Sequence, residues 1–329
     1  MLRSTLAVAV TVALSFVSTA LGDGGPSPGA VQGDPGVLTT DGLVRYVTLP
    51  SGSGTILAAV TTHGGRVSWT GLPGNWGIPA VAFDGTTGGL SQDASTLVLA
   101  EPGFGGCTPS YCSPLRATSR FDVLAPKKIR LREKLTLRGD FAYDALSPNG
   151  HVLYLIQHVS KTDLSRYLVR AYDLTRHTLR PGAVADRAQR GWVMQGSPMA
   201  RATSDDGRFV YTLYQNPGGY PFVHALDTVA GTAHCIGIPL PLGINQGVLN
   251  KLALSEDGRT LDVDPAAGRP IYLVDTRTYR VTEPPPPRKG SGFGWWLLTP
   301  ALMLVPLGAA LTYRCRRRTL RNPAIAALG

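Results

Sequence analysis

An all-β chain built from repeated four-stranded units is what this sequence predicts, and three observations predict it. A Ser/Thr-x-Asp/Asn-Gly turn, or a near copy, begins at Thr39, Ser91, Ser147, Ser204 and Ser255, at spacings of 52, 56, 57 and 51 residues. A short run of β-branched and aromatic residues follows each turn. A later run then ends in Asp at Asp122, Asp173, Asp227 and Asp275. A period of this size marks stacked copies of one supersecondary unit, which cannot bury its apolar face alone. Four antiparallel strands per unit make a propeller blade.

The turns are Asp41-Gly42, Asp93-Ala94, Asn149-Gly150, Asp206-Gly207 and Asp257-Gly258. Asp or Asn before Gly favours a tight turn, because Gly reaches positive φ at little cost and the side chain bonds its own backbone. Strands are expected before them (Phe141 to Leu146, Met199 to Thr203, Val248 to Leu254) and after them (Val152 to Ile156, Phe209 to Leu213, Leu261 to Val263). All are four to seven residues or so, β-rich and bounded by turn formers. The first two copies are degraded: Ala94 replaces Gly, and only Gly36-Val37-Leu38 precedes the first turn. Five blades is the direct count. Six follow if the segment from Gly71 to Leu90 hides another unit, and a strand borrowed from the far end of the chain is one way to close the ring. A β-sandwich with fortuitous Asp-Gly turns is the competing architecture.

These units resemble the blades of YVTN and TolB-type, WD-like β-propellers, in which a Ser-Pro-Asp-Gly turn precedes a Tyr-Val strand and a Val-x-Asp strand. The resemblance runs from about Thr39 to Val281. It implies a fold and not a function, since such propellers serve as enzymes, receptors and scaffolds alike.

Both ends of the chain point to a membrane. Residues 1–22 have a basic start at Arg3, an apolar stretch from Leu6 to Val17 and a small-x-small site at Ala20-Leu21-Gly22, which predicts a secretory signal cleaved between Gly22 and Asp23. Residues 23–38 are expected as a linker, 39–282 as the propeller and 283–294 as a Pro/Gly-rich linker with four consecutive prolines. Residues 295–313 contain no charge and would span ~28 Å as a helix. Trp295, Trp296 and Tyr313 flank that span, and Arg314, Arg316, Arg317, Arg318 and Arg321 follow it in a tail, 314–329, with no acidic residue. The positive-inside rule places this tail in the cytoplasm and the propeller outside, as a single-pass type I protein of a bacterial envelope. The net charge of +10 falls to +4 once Arg3 and the tail arginines are set aside, so basicity reports topology and no nucleic-acid partner is expected.

Candidate chemistry is sparse. Cys107 and Cys112 flank a four-residue loop in the second copy, on the side where a disulfide persists. A free thiol pair is the other possibility, and Cys235 reads as a small buried hydrophobe. Gly-x-Ser-x-Gly, His-Glu-x-x-His and Gly-Lys-Ser/Thr motifs are missing, and the six histidines recur at no ligand-like spacing. No cofactor or metal is expected. Lys128, Arg130, Arg132 and Lys134 alternate with mostly apolar residues, which in a strand puts four cations on one face. That face is either an edge defended by charge or a contact for anionic envelope polymer or lipid. The expected function is a membrane-tethered binding, sensory or scaffold module for a protein, peptide or envelope-polymer ligand. The alternative is a lactonase-like propeller hydrolase with convergent acidic or His side chains at the channel mouth.

Overall fold

Alternate residues of each central strand enter two different cores, and this division organises the molecule. The computed structural model describes residues 29–286 except 103–106, 109–110, 113–114, 161–165, 187–192, 217–218, 242 and 265–268, with backbone only at 107–108 and 111–112. The expected signal sequence, membrane span and basic tail lie outside the described residues. Five antiparallel sheets of three or more strands follow one another along the chain, and no α-helix occurs among the described residues. Sheet 1 comprises Val37–Leu38, Val44–Ser51, Gly54–Thr61 and Val67–Pro73, and sheet 2 comprises Leu97–Ala100, Thr118–Ala125 and Arg130–Arg138. Sheet 3 comprises Phe141–Leu146, Val152–His158, Arg166–Asp173 and Thr178–Leu179, with Met194–Gln195 added beside the third strand. Sheet 4 comprises Ser197–Thr203, Phe209–Gln215, Phe222–Asp227 and Thr232–Gly237. Sheet 5 comprises Leu252–Leu254, Thr260–Val263, Tyr272–Asp275 and Val281–Thr282.

In sheet 3, Leu153 and Leu155 pack toward sheet 2 while Tyr154 and Ile156 pack toward sheet 4. In sheet 4, Val210 and Tyr214 face sheet 3 while Tyr211 and Leu213 face sheet 5. Leu97 and Leu99 join sheet 2 to sheet 1, and Val98 and Ala100 join it to sheet 3. The two-residue side-chain period of a strand explains the split, and burial on both faces explains why these strands read as unbroken apolar runs. Each fully buried Leu or Tyr contributes about 1.5–3 kcal/mol relative to exposure. Sheets of consecutive antiparallel strands stacked face on face give a fold of β-propeller type. Four cores join sheets 1–2, 2–3, 3–4 and 4–5; among the described residues no core joins sheet 5 to sheet 1.

Five turns share one geometry. Thr39, Ser91, Ser147, Ser204 and Ser255 each donate a hydroxyl hydrogen bond to the Asp or Asn two residues on, at 2.6, 2.7, 2.8, 2.6 and 2.7 Å. The fourth residue of each turn donates its N–H to the first residue's carbonyl at 2.7–2.9 Å. That fourth residue lies at positive φ in every copy: Gly42 at 71°, Ala94 at 51°, Gly150 at 67°, Gly207 at 70° and Gly258 at 68°. A Cβ on Gly207 would come within 2.9 Å of Gln92 Cβ in the second turn, whereas one on Gly258 meets nothing within 4 Å. Gly207→Val is therefore expected to cost about 2 kcal/mol and Gly258→Val about 1 kcal/mol, the first adding a clash to the shared backbone strain. Urea midpoints of a fragment ending at Pro284 check this, and equal midpoints for the two variants would remove the packing contribution.

Three expectations need correction. Residues 30–38 are not a linker: Ala30–Val31 pairs with Ile78–Pro79, and Val37–Leu38 supplies the first strand of sheet 1. Asp122 does not end a strand; it sits in the middle of Thr118–Ala125, because Val123 and Leu124 prolong the apolar alternation until Pro126 stops it. The basic run is not one continuous face. Lys128 lies in the 3-10 turn Pro126–Lys128, and the strand begins at Arg130. A bulge opposite Val123 and Leu124 then falls at Arg132, whose guanidinium reaches back to Thr96 Oγ1 at 3.4 Å. Lys134 stands directly opposite Asp122. The run remains an edge strand, as the charge-defended reading requires.

Candidate functional site

Strand direction sorts every connection onto one of two ends. The repeat turns and the turns after Asp173, Asp227 and Asp275 lie at one end, here the turn end. The strand ends that bound the longer connections, Ala100 and Thr118, His158 and Arg166, Gln215 and Phe222, and Gly237 and Leu252, lie at the other, the loop end.

At the turn end the second repeat turn is a hub. Its Gln92 carbonyl accepts from Thr40 Oγ1 at 3.2 Å, Gln92 Nε2 donates to the Asp205 carbonyl, and Asp93 N donates to the Pro148 carbonyl at 3.1 Å. The turns of sheets 1, 3 and 4 thus meet on that of sheet 2. A cleft of ≈ 460 Å³ between sheets 3 and 4 contains His151, Asp173, Arg176 and Arg180. Backbone N–H groups of Arg176 and Thr175 and the Arg180 guanidinium hold Asp173 down at about 2. Its charge and those of its arginines are consumed locally.

Inside the array, Asp144 and Arg201 form a buried ion pair between the first strands of sheets 3 and 4. Asp144 is the residue skipped where the pairing register shifts between Tyr143 and Ala145. A bulge re-aims a side chain in just this way. Arg201 also donates to the Asp144 carbonyl, and its own N–H donates to Asp84 Oδ2 at 3.3 Å. Burial opposes charge on Arg201, but Asp144, Tyr214 and Tyr143 together hold its pKa above the usual arginine value. Phe83 and Asp84 donate backbone hydrogen bonds of 2.9 Å to Pro198 and Met199, carrying the sheet 1–2 connection across to sheet 4. A cavity of ≈ 240 Å³ remains, lined by Thr87, Gln92, Tyr143, Asp144, Arg201 and Thr203. Behind it His224 is buried, its Nε2 without a partner, and burial lowers its pKa to about 4.

The loop end of sheets 4 and 5 differs in character. A pocket of ≈ 430 Å³ is lined by Tyr220, Pro221, Leu240, Pro241, Ile244 and Gln246. Tyr220 is 53% exposed, Ile244 50% and Val248 41%, in a molecule that buries most of its large apolar side chains. Its two connections are pinned together by one amide. Gln246 Oε1 accepts from Asn216 N at 2.7 Å, and Nε2 donates to the carbonyls of Asn216 and Gly219 at 3.1 and 2.8 Å. Asn245 accepts from Gly247 N at 2.8 Å, and Tyr272 Oη donates to the Pro239 carbonyl at 3.0 Å. Exposed apolar groups on a braced scaffold bind with little ordering cost. Repeat-based reading passed over this platform; its signal is the aromatic and proline content of connections that break the period, Tyr220-Pro221 and Pro239-Leu240-Pro241.

The remaining candidates disperse. The backbone places Cys107 opposite Cys112 in a two-stranded ribbon, and their side chains lie outside the described residues. Cys235 is a free, half-buried thiol whose pKa burial raises to about 12, so it stays protonated and unreactive. Asp140 receives Arg116 Nε at 2.9 Å and stands 3.5 Å from His158 Nδ1, tying sheet 2 to sheet 3. His234 sits 2.9 Å from Asp186 and stacks on Tyr279. No group of three metal-ligating side chains occurs among the described residues.

No protein-family model and no curated protein matches this chain. Solved structures do resemble it. TolB from Acinetobacter baumannii is 10% identical at a TM-score of 0.42, over 74% of this chain and 52% of that one. The periplasmic gluconolactonase of Pseudomonas aeruginosa is 17% identical at 0.42, over 75% and 67%. The β-propeller domain of Myceliophteria thermophila Cps50 is 10% identical at 0.40, over 76% and 65%. This chain therefore spans about half to two thirds of the length of these proteins, and their functions are not transferred to it.

Proposed function

We propose that this chain is an extracytoplasmic binding module, tethered to the membrane through residues 295–313, that recognises a peptide or protein at the loop end of sheets 4 and 5. In this reading sheets 1 to 5 are five blades, joined to the membrane segment by the linker 283–294. The observation that carries the proposal is the Gln246-braced platform, which keeps Tyr220 and Ile244 exposed on connections that cannot move apart. Aromatic and aliphatic anchors on a rigid rim are the groups that dominate peptide and protein recognition. A hydrolase in the central cavity is less well supported, because the acidic group lining that cavity, Asp144, is committed to Arg201.

The test places a photo-crosslinking residue at position 220 or at position 229 of the full chain in its own membrane. Val229 is 63% exposed and lies at the turn end. Tyr220 substitution is expected to yield a discrete adduct that protease added outside the cell removes, and Val229 substitution to yield none. Equal labelling from both positions would sink the site, and an adduct protected from external protease would sink the topology.

A further inference from the structure

Sheets 1, 3, 4 and 5 end on the edge strands Val67–Pro73, Thr178–Leu179, Thr232–Gly237 and Val281–Thr282, and none of these contains a lysine or arginine. Sheet 2 ends on Arg130–Arg138, nine residues that include Arg130, Arg132, Lys134 and Arg138. Lys127 and Lys128 precede it in the 3-10 turn. All six side chains are exposed. Charge is one defence of an open edge against pairing with another chain. Defence does not account for these six, because the seven-residue edge Val67–Pro73 is left with no charge at all.

Between Lys127 and Arg138 the chain carries six cations and one acid, a net charge of +5, whereas the remainder of residues 23–313 carries −1. The excess positive charge of that segment is thus concentrated on one edge. Its cations are also free. Among the described residues no carboxylate lies within 4.0 Å of any of the six. Glu133, the acid within the run, is engaged by His177 at 2.9 Å. Asp122, opposite Lys134, is fully buried with neither oxygen hydrogen-bonded. Leu131 packs toward sheet 1 and Leu135 toward sheet 3, so the bulge between them turns Lys134 to the sheet 1 side and leaves Arg130 on the sheet 3 side. Cations therefore flank the edge on both faces.

We propose that this edge is a second binding site, separate from the Tyr220 platform, and that it takes a slim, base-free phosphodiester polymer laid along the strand. The strand extends about 30 Å, and its alternate residues stand about 7 Å apart. A polyol phosphate with three-carbon bridges repeats its charge at a similar interval, so several phosphates meet cations at once. The three arginines offer forked donors that fit phosphate oxygens, and an open edge adds unpaired main-chain N–H groups. A flat bilayer fits less well. The strip is one strand wide, and the edge strands of sheets 1 and 3 on either side of it contribute no cation. Single-stranded nucleic acid carries phosphates too, but it is held through aromatic platforms on which its bases stack. Arg130–Arg138 contains no aromatic residue.

Titration of the full-length chain, in neutral detergent, with fluorescent poly(glycerol phosphate) provides the test. Binding is expected, with an affinity that falls at least tenfold between about 50 and about 200 mM salt as counterions are released. Arg130→Gln, Lys134→Gln and Arg138→Gln combined should weaken it at least tenfold. Arg66→Gln, Lys251→Gln and Arg277→Gln combined, the same loss of charge from exposed positions on other sheets, should leave it unchanged. Resistance to limited proteolysis reports whether each variant is folded, and the salt dependence of the unaltered chain needs no variant at all. No binding at about 50 mM salt overturns the proposal. So does a strip variant that binds as the parent does, including through the arginines of residues 314–329. Tighter binding to single-stranded DNA, to polygalacturonate or to vesicles of anionic lipid, each at equal charge, would overturn the choice of polymer.

Discussion

Arg201→Met is expected to cost the array about 3–5 kcal/mol, because it removes one partner of a buried ion pair and leaves the other charged and enclosed. The two side chains are 5% and 4% exposed, and Asp144 lies on a bulge in a strand packed between two sheets. The double variant Arg201→Met/Asp144→Leu should regain most of that loss, since an apolar pair of similar volume carries no desolvation penalty. Measured as a cycle of urea midpoints, the coupling between the two positions is expected to exceed 2 kcal/mol, as for groups in direct contact. Additive single effects would mean that the pair does not hold sheets 3 and 4 together. The same measurement bears on function. If the pair is only a brace, a folded double variant keeps the Tyr220 crosslink at the loop end.

The repeat turns were legible because their chemistry is local. Ser204, Asp206 and Gly207 satisfy one another's backbone within six residues, so their identities alone specify the geometry. The central strands were legible for a related reason, since burial on both faces leaves an unbroken apolar run such as Val152 to Ile156. What the sequence hid was non-local. Asp122 looked like the Asp that ends a strand in the other copies, and only the continuing pairing of Val123 and Leu124 with the strands beside them places it mid-strand. The bulge at Arg132 and the pairing of Asp144 with Arg201, 57 residues away, depend on how sheets meet and leave no mark in spacing. The Tyr220 platform was obscured because it lies where the repeat is broken, in connections that differ from copy to copy. That no core joins sheets 5 and 1 among the described residues likewise has no local signature, although the apolar alternation of Val47, Leu49, Ile56 and Val60 is present in the sequence.

Asp122 and His224 should make opposing contributions to stability over nearly the same pH range. Asp122 is fully buried with neither oxygen hydrogen-bonded. Burial raises its pKa to about 6; Lys134 opposes the shift and Glu101 adds to it. The folded state therefore holds a proton that the unfolded chain releases near pH 4, and stability falls as pH rises from about 4 to 6. His224 behaves oppositely. Burial lowers its pKa to about 4, against the pull of Asp144, so the folded state refuses a proton that the unfolded chain accepts near pH 6.5. Stability from this group is lost as pH falls from about 6.5 to 4. At 1.36 kcal/mol per pKa unit each contribution is about 3 kcal/mol, and in the parent they largely cancel. The repeat-turn carboxylates, whose pKa values are lowered, begin to lose their contribution as pH falls below about 5, and do so equally in the parent and in both variants. Urea midpoints of the parent should therefore be nearly flat between about pH 5 and 7 and fall below about pH 5, and the two variants are read as differences from that profile between about pH 4 and 7. Asp122→Asn should expose a profile that rises by about 3 kcal/mol, and His224→Gln one that falls by a similar amount. The slope is the readout, so any fixed cost of placing an amide at either site drops out. Parallel profiles for parent and both variants would show that neither group titrates inside the array.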